Sequence, residues 1–136
     1  MGDAGEVGTI QFSLVIHNHQ PVGNFDHVLE RAHLAAYGPL LDALERYPAV
    51  PVALHVSGPL LRWMERARPA DVDRIAALAE RGQLEVIGGG FYEPIFPLIP
   101  SRDRVGQIVS FADHLEARLG RRPRGLWLPE RVWESA

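Results

Sequence analysis

The sequence predicts an α/β fold built on a parallel β-sheet, and three observations carry this prediction. Four short runs of β-branched or aliphatic residues recur along the chain, and helical patterns fill the intervals between them. The runs are apolar throughout instead of alternating with polar residues, which is typical of strands covered on both faces. Strands and helices follow one another in turn, which is the order found in parallel α/β sheets.

The predicted elements occupy almost the whole chain. The strands are placed at 9–16, 50–56, 84–87 and 125–128. The helices are placed at 25–47, from Ser57 onward, at 70–81 and at 101–119. A closed barrel of eight β/α units takes about 250 residues. Four units in 136 residues are therefore consistent with about half of such a barrel, an incomplete one of about four parallel units.

Particular residues set the ends and faces of these helices. Gly38 and Pro39 should kink or split the first helix, because proline cannot donate a backbone hydrogen bond. Ser57 is the predicted N-cap of the second helix. Gly82 suits the left-handed conformation that often closes a helix, and Gly120 is the predicted stop of the last helix. The residues predicted to face inward from the last helix are Val105, Ile108, Val109, Phe111, Ala112 and Leu115.

The composition limits where in the cell the protein is expected and which partners it is expected to bind. Residues 1–8 are polar, acidic and rich in glycine, so we expect a flexible tail, no signal peptide and a cytoplasmic protein. The longest apolar run, around 12–16, is far shorter than the ~20 residues that cross a bilayer, so no membrane partner is expected. A net charge of -3 offers no basic field for nucleic acid.

Two missing residue types exclude several kinds of chemistry. All 14 basic residues are arginine, and the chain has neither lysine nor cysteine. A cysteine nucleophile, a thiolate metal site, a Schiff-base lysine and a Walker-type phosphate loop are therefore excluded. No serine lies in a Gly-x-Ser-x-Gly turn, so the sequence does not support the serine nucleophile elbow of an α/β-hydrolase. Carboxylate, histidine and aromatic chemistry remain.

Polar and aromatic residues collect where the predicted strands end. The four segments that follow the strands are 17–21, 55–58, 88–94 and 127–133. Ligands of parallel α/β folds bind at this edge, so these segments predict one site. Each residue alone also fits a structural role, as a core histidine or a packed aromatic. Together, carboxylates beside aromatic rings and histidines suit sugars, whose apolar faces stack while their hydroxyls form hydrogen bonds.

Three of these segments resemble the first three conserved regions of glycoside hydrolase family 57. They are HNHQP at 17–21, GQLEVIGGGFYEPI at 82–95 and GLWLPERVWE at 125–134. The resemblance implies a (β/α)7 barrel that cleaves α-1,4-glucans with retention through a covalent glycosyl-enzyme intermediate, without cofactor or metal. It leaves hydrolysis, transfer to another sugar and branching open.

The resemblance also implies roles for individual residues. Glu130 matches the nucleophile of the family, and Trp127 matches an aromatic residue close to it. His17 and His19 match histidines that line the sugar site, and Glu93 matches an acidic residue that binds substrate. The acid/base of the family is an aspartate in a fourth region that has no counterpart here. Glu93 is a conceivable substitute, although the resemblance gives it a binding role.

Residues 9–136 are accordingly expected to form the N-terminal portion of a catalytic barrel that is inactive alone. Its open strand edges and uncovered helix face are expected to favour association or aggregation.

Two other functions stay open. In a metal-dependent polysaccharide deacetylase or mannosidase-like barrel, His17, His19 and an acid would hold zinc. The absence of an aspartate beside these histidines argues against that alternative. The other is a glucan-binding protein without catalytic activity.

Overall fold

The computed structural model describes residues 10–134, so the predicted tail at 1–8 lies outside the described residues. The strands are β1 Val15–Asn18, β2 Val52–Val56 and β3 Leu84–Val86. They form a parallel sheet in the order β1-β2-β3. The predicted parallel α/β arrangement is confirmed for this part of the chain. His17 of β1 lies opposite His55 of β2 in the register.

The first strand is shorter than predicted and lies further along the chain. Val15 is paired with Ala53, which places residue 13 opposite Pro51. Proline has no N–H group to donate to a ladder, so regular pairing stops there. The strand instead continues through His17 to Asn18, and His17 is therefore part of the strand.

The prediction of a fourth strand at 125–128 was wrong for most of its length. The segment makes one isolated parallel bridge, between Gly88 and Leu126. Two hydrogen bonds support it, from Gly88 N to Gly125 O at 3.0 Å and from Trp127 N to Gly88 O at 2.8 Å. Prolines at 123 and 129 flank the segment and cannot extend the ladder, because they lack the N–H group.

Between β1 and β2 the chain forms one helical run in three parts. The parts are α1 Asp26–Ala32, a π-helical segment His33–Tyr37 and α2 Gly38–Arg46. The interruption predicted at Gly38 and Pro39 is thus present as the wider π-helical turn just before them. A π turn accommodates a residue without its usual i→i−4 bond, and Pro39 cannot make that bond.

The remaining helices cover the sheet and agree closely with the prediction. They are α3 Gly58–Ala67, α4 Pro69–Glu80 and α5 Ser101–Leu119, with 3₁₀ turns at Phe96–Leu98 and Pro129–Arg131. Helix α5 ends at Gly120, as predicted, with a left-handed φ of 68°. Ser57 occupies the N-cap position of α3 but makes no capping bond from its side chain. Its Oγ instead accepts a hydrogen bond from the backbone N–H of Gln20 at 3.3 Å.

The predicted inner face of α5 was wrong at two positions. Val105 is 60% exposed and Val109 is 44% exposed. The buried residues of α5 all lie in its C-terminal half, at Phe111, Ala112, Leu115 and Leu119. Its first turns therefore keep apolar side chains in solvent, in line with the expected uncovered face.

The core lies between the sheet and the helices, and it fixes the strand ends that carry the polar residues. Leu54, Leu60, Leu61 and Phe111 are at most 2% exposed. Burying a side chain of this size contributes roughly 1.5–3 kcal/mol. Within residues 10–134, no helix combines the length and the apolar character needed to cross a membrane.

Candidate active site

The structure brings four of the five predicted site residues into one cluster at the carboxyl edge of the sheet. His17 lies near the end of β1, and His19 follows that strand directly. Glu93 follows the glycine-rich turn after β3, and Trp127 follows the bridge at Leu126. The sequence places these residues up to 110 positions apart. The parallel topology places them together, because every strand ends at the same edge.

The Glu93 carboxylate lies at the centre of the cluster. Its side chain is 6% exposed, and Oε2 is in close contact with Nδ1 of His19. Oε1 lies 3.6 Å from Nε2 of His17 and 3.5 Å from Nδ1 of His55, and it has no hydrogen-bond partner among the described residues. Burial raises the pKa of Glu93, the nearby His19 opposes that shift, and the charge of Glu130 adds to it.

His17 and His55 share a short contact, and the pKa of each imidazole is lowered. Their Nδ1 atoms are 2.8 Å apart. Burial, with smaller contributions from His17 and His19, lowers the pKa of His55 from 6.5 to about 3. Burial and then His19 also lower the pKa of His17, against an opposite effect of the Glu130 charge.

Trp127 provides a flat wall to this cluster. Its indole stacks on the His17 ring with the centroids 4.3 Å apart and the planes inclined by 12°. The rings of His17 and His19 are themselves stacked at 5.5 Å. Stacked flat rings form a surface of the kind on which the apolar face of a sugar packs.

Glu130 is exposed and lies in the short 3₁₀ turn after Trp127. Among residues 10–134, the Glu130 side chain forms no hydrogen bond with the cluster. Its charge nevertheless acts on the cluster. Its charge contributes to the pKa shifts of both His17 and Glu93. Glu130 is thus an exposed carboxylate whose charge reaches the cluster.

Backbone strain occurs at Glu93 and at the neighbouring pair Glu130 and Arg131. Glu93 has a φ of 52°, Glu130 of 53° and Arg131 of 57°. These are the only non-glycine residues with positive φ among residues 10–134. Side chains are disfavoured in this left-handed region, and such strain clusters at functional sites because the surroundings hold it in place.

The glycine-rich turn has a packing role and shows no sign of a phosphate loop. A Cβ on Gly89 would lie 3.0 Å from Nε2 of His55 and 3.3 Å from the Trp127 carbonyl oxygen. A Cβ on Gly90 would lie 2.8 Å from Cδ of Pro94. The turn therefore needs glycine so that the backbone can approach the site residues closely.

His55 lies in one of the four segments predicted to form the site but was not singled out as a site residue, and the hydrogen bonds around the cluster were not predicted. His55 is 0% exposed and is the register partner of His17. Gln20 donates from Nε2 to Tyr37 Oη at 2.9 Å, and Tyr37 in turn donates to the His19 carbonyl oxygen at 3.1 Å. A histidine in the same position on two neighbouring strands was the available signal for His55. Gln20 belongs to the HNHQP motif at 17–21, whereas no sequence pattern pointed to Tyr37.

The same residues could also hold a cation. His17, His55 and Glu93 each offer one ligand atom, and these atoms lie within 4.8 Å of one another. Two imidazoles and a carboxylate are a donor set that suits zinc. The geometry thus fits either sugar recognition or a metal ion.

Comparison with known proteins decides the family. The sequence profile of glycosyl hydrolase family 57 matches residues 13–136. The chain belongs to this family. The resemblance seen in the three motifs is thereby confirmed.

Relatives in the family have more than one named activity. Alpha-amylase 1 of Dictyoglomus thermophilum is 49% identical over 126 residues, which cover 93% of this chain and 18% of that protein. The 4-alpha-glucanotransferase of Thermococcus kodakarensis is 46% identical over 125 residues, covering 92% of this chain and 19% of that protein. The chain thus spans about a fifth of the length of the curated relatives it matches.

Solved structures agree with the fold. The crystal structure of the Thermococcus litoralis 4-alpha-glucanotransferase superposes with a TM-score of 0.87 at 45% identity, covering 90% of this chain and 19% of that one. A family 57 branching enzyme from Thermococcus kodakaraensis superposes with a TM-score of 0.73 at 17% identity, covering 87% of this chain and 32% of that one. At that identity the likeness shows the fold alone.

Proposed function

We propose that this chain forms part of a retaining glycoside hydrolase or glucanotransferase that acts on α-1,4-glucans, with Glu130 as the nucleophile. One observation supports this proposal more strongly than any other. An exposed carboxylate, Glu130, held in a strained backbone conformation, acts electrostatically on His17 and on the buried Glu93, and His17 is stacked on Trp127. The family membership and the names of the relatives support the same activity.

The residues of the cluster bind the sugar in this proposal. Trp127 and His17 present a stacked surface to the ring of the sugar. Glu93 accepts a hydrogen bond from a sugar hydroxyl through Oε1, which has no other partner among the described residues. His19 holds the opposite oxygen of Glu93 and so orients the carboxylate.

Glu130 performs the covalent step. Its carboxylate oxygen attacks the anomeric carbon and forms a glycosyl ester, while the bond to the leaving oxygen breaks and that oxygen takes a proton from an acid. In the second step the same acid, now a base, deprotonates water or a sugar hydroxyl, which displaces Glu130. Retention follows from two inversions at one carbon, and it requires two carboxyl groups about 5–5.5 Å apart.

We propose that the acid/base and the remaining barrel units come from a part of the enzyme beyond these residues. The relatives, about five times longer than this chain, support this. The chain alone would then be an incomplete (β/α)7 barrel without appreciable turnover.

A cavity beside the cluster offers room for the glucan to continue. Its volume is about 250 Å³, and Gln20, Asn24, Arg62 and Tyr92 contribute to its lining. The cluster residues themselves do not line it, but Gln20 and Tyr92 are the chain neighbours of His19 and Glu93. Polar groups around an exposed tyrosine ring fit a second glucose unit.

The test is product analysis of maltotriose incubated with the product of the complete gene and with its Glu130→Gln variant. Oligosaccharides longer than maltotriose, lost in the variant, would support a transferase. Glucose and maltose alone, again lost in the variant, would support a hydrolase. Undiminished activity in Glu130→Gln would overturn the assignment of the nucleophile.

The cluster of His17, His55 and Glu93 favours one second candidate, a metal-dependent deacetylase-like enzyme. Metal analysis of the purified protein separates the two. Near-stoichiometric zinc, with release of acetate from an acetylated polysaccharide, would favour the metal enzyme. Glucan binding without turnover by the complete gene product would instead favour a binding protein.

A further inference from the structure

We propose that His55 is a positioning residue that sets the ring tautomer of His17, so that Nε2–H of His17 and Oε1 of Glu93 together recognise one sugar hydroxyl. The assignment of the tautomer stands on the geometry of the chain. Its catalytic consequence rests on the proposed function.

The His55 ring has no freedom to reorient. It is 0% exposed, and Phe111 meets it edge to face with the centroids 5.9 Å apart. Gly89 lies so close that even a Cβ there would be 3.0 Å from Nε2. The parallel register places His17 directly opposite, which brings the two Nδ1 atoms to 2.8 Å.

The proton of His55 belongs on Nδ1. A contact of 2.8 Å between two ring nitrogens needs one donor and one acceptor, and a neutral imidazole has a single N–H. Nε2 of His55 is buried without a hydrogen-bond partner among the described residues. A buried N–H without an acceptor is rarer in proteins than an acceptor that is left unpaired, so the proton favours Nδ1. His55 therefore donates from Nδ1 to Nδ1 of His17.

His17 is then forced into the opposite tautomer. Since its Nδ1 accepts a hydrogen bond, a neutral His17 carries its proton on Nε2. That atom faces Oε1 of Glu93 at 3.6 Å, which is too long for a hydrogen bond. Nε2–H of His17 is thus a donor without an acceptor, and Oε1 of Glu93 is an acceptor without a donor. One hydroxyl oxygen can interact with both. Such a hydroxyl accepts from His17 and donates to Glu93.

The alternative tautomer would break this recognition. If Nδ1 of His17 carried the proton, its bare Nε2 would face the Glu93 carboxylate, and two acceptors cannot both receive the single proton of a hydroxyl. His55 thus acts on the substrate only through His17.

Two substitutions separate this role from simple packing. His55→Leu removes the donor, whereas His55→Asn keeps an N–H group close to the position of Nδ1. The readout on this chain is the ¹⁵N spectrum of the imidazole rings of its six histidines, with His17→Gln used to assign the His17 signals. We expect the Nε2–H tautomer for His17 in the parent and in His55→Asn, and a mixture of tautomers in His55→Leu.

Kinetics of the complete gene product on maltotriose form the second arm. Loss of one hydrogen bond of this kind is worth about 0.5–1.5 kcal/mol, so kcat/KM should fall roughly two- to twelvefold in His55→Leu and recover in His55→Asn. An Nδ1–H tautomer in the parent would overturn the proposal, whether or not a variant folds. An unchanged tautomer in a folded His55→Leu chain would overturn it too. No glucan turnover by the parent, with the predicted tautomer present, would instead contradict the proposed function and leave the His55 assignment standing.

Discussion

Adding a single methyl group at Gly58 should destabilise the fold, because this glycine lets α3 approach the chain just before Glu93. A Cβ at Gly58 would lie 2.4 Å from the carbonyl oxygen of Phe91 and 2.6 Å from its Cδ1. Ordinary carbon to oxygen contacts are about 3.3–3.6 Å, so the two segments would have to separate by roughly 1 Å. Phe91 is 4% exposed and packs edge to face on Phe111, so it has no free direction in which to move.

Overpacking of this kind costs about 1–3 kcal/mol. For a chain of 136 residues, that cost corresponds to a fall in the unfolding midpoint of roughly 3–10 °C. Thermal unfolding of Gly58→Ala followed by circular dichroism measures it.

The matched control is Gly106→Ala in the exposed middle of α5, where a Cβ meets nothing within 4 Å. There the same methyl group should stabilise the helix by about 0.5–1 kcal/mol. A Gly58→Ala chain that is as stable as the parent would refute the argument from close approach.

Three further perturbations follow from the structure. Because the pKa of His55 is about 3 in the fold and 6.5 in the unfolded chain, the unfolded state binds the proton first, and the free energy of unfolding should decrease as the pH falls below 6.5. His55→Asn should flatten this slope, which is at most about 1.4 kcal/mol per pH unit from one group, and urea titrations at several pH values would reveal it. Gln83→Leu should lower the free energy of unfolding by about 1–3 kcal/mol, because Gln83 Nε2 donates to the backbone oxygens of Leu44, Tyr47 and Val50 at 2.8, 3.1 and 3.2 Å. Gln83→Glu cannot donate these bonds and should lower it by a similar amount. An unchanged urea midpoint in either variant would contradict this prediction. Trp127→Ala should raise the KM of the complete gene product for maltotriose about fivefold through loss of an aromatic contact, while Trp127→Phe should retain most of the affinity; equal effects of the two would argue against stacking.

The parallel sheet and most helix ends could be predicted from local patterns. Gly120 closes α5 in the left-handed conformation because a residue without Cβ enters that region freely. The fourth strand could not be predicted correctly, because its extent depends on which neighbour offers hydrogen bonds. Likewise, Val105 has a suitable helical spacing, but whether it is buried depends on what packs against that turn.

The candidate site, like the fold, could be predicted only in part. The motifs singled out His17, His19, Glu93 and Trp127, and the topology of the sheet places these residues together. Their roles in binding stay predictions. His55 lay in a predicted site segment but was not singled out, because its importance comes from strand register and burial, which a single strand segment does not reveal.

The most direct test of the central claim is to trap the glycosyl-enzyme intermediate on the complete gene product. A 5-fluoro glycosyl fluoride has an activated leaving group and a slowed second step, so the ester formed by the nucleophile accumulates. Peptide mapping by mass spectrometry then locates the attached sugar. We expect the label on Glu130 and no label in Glu130→Gln. A label on Glu93 or on another carboxylate would contradict it.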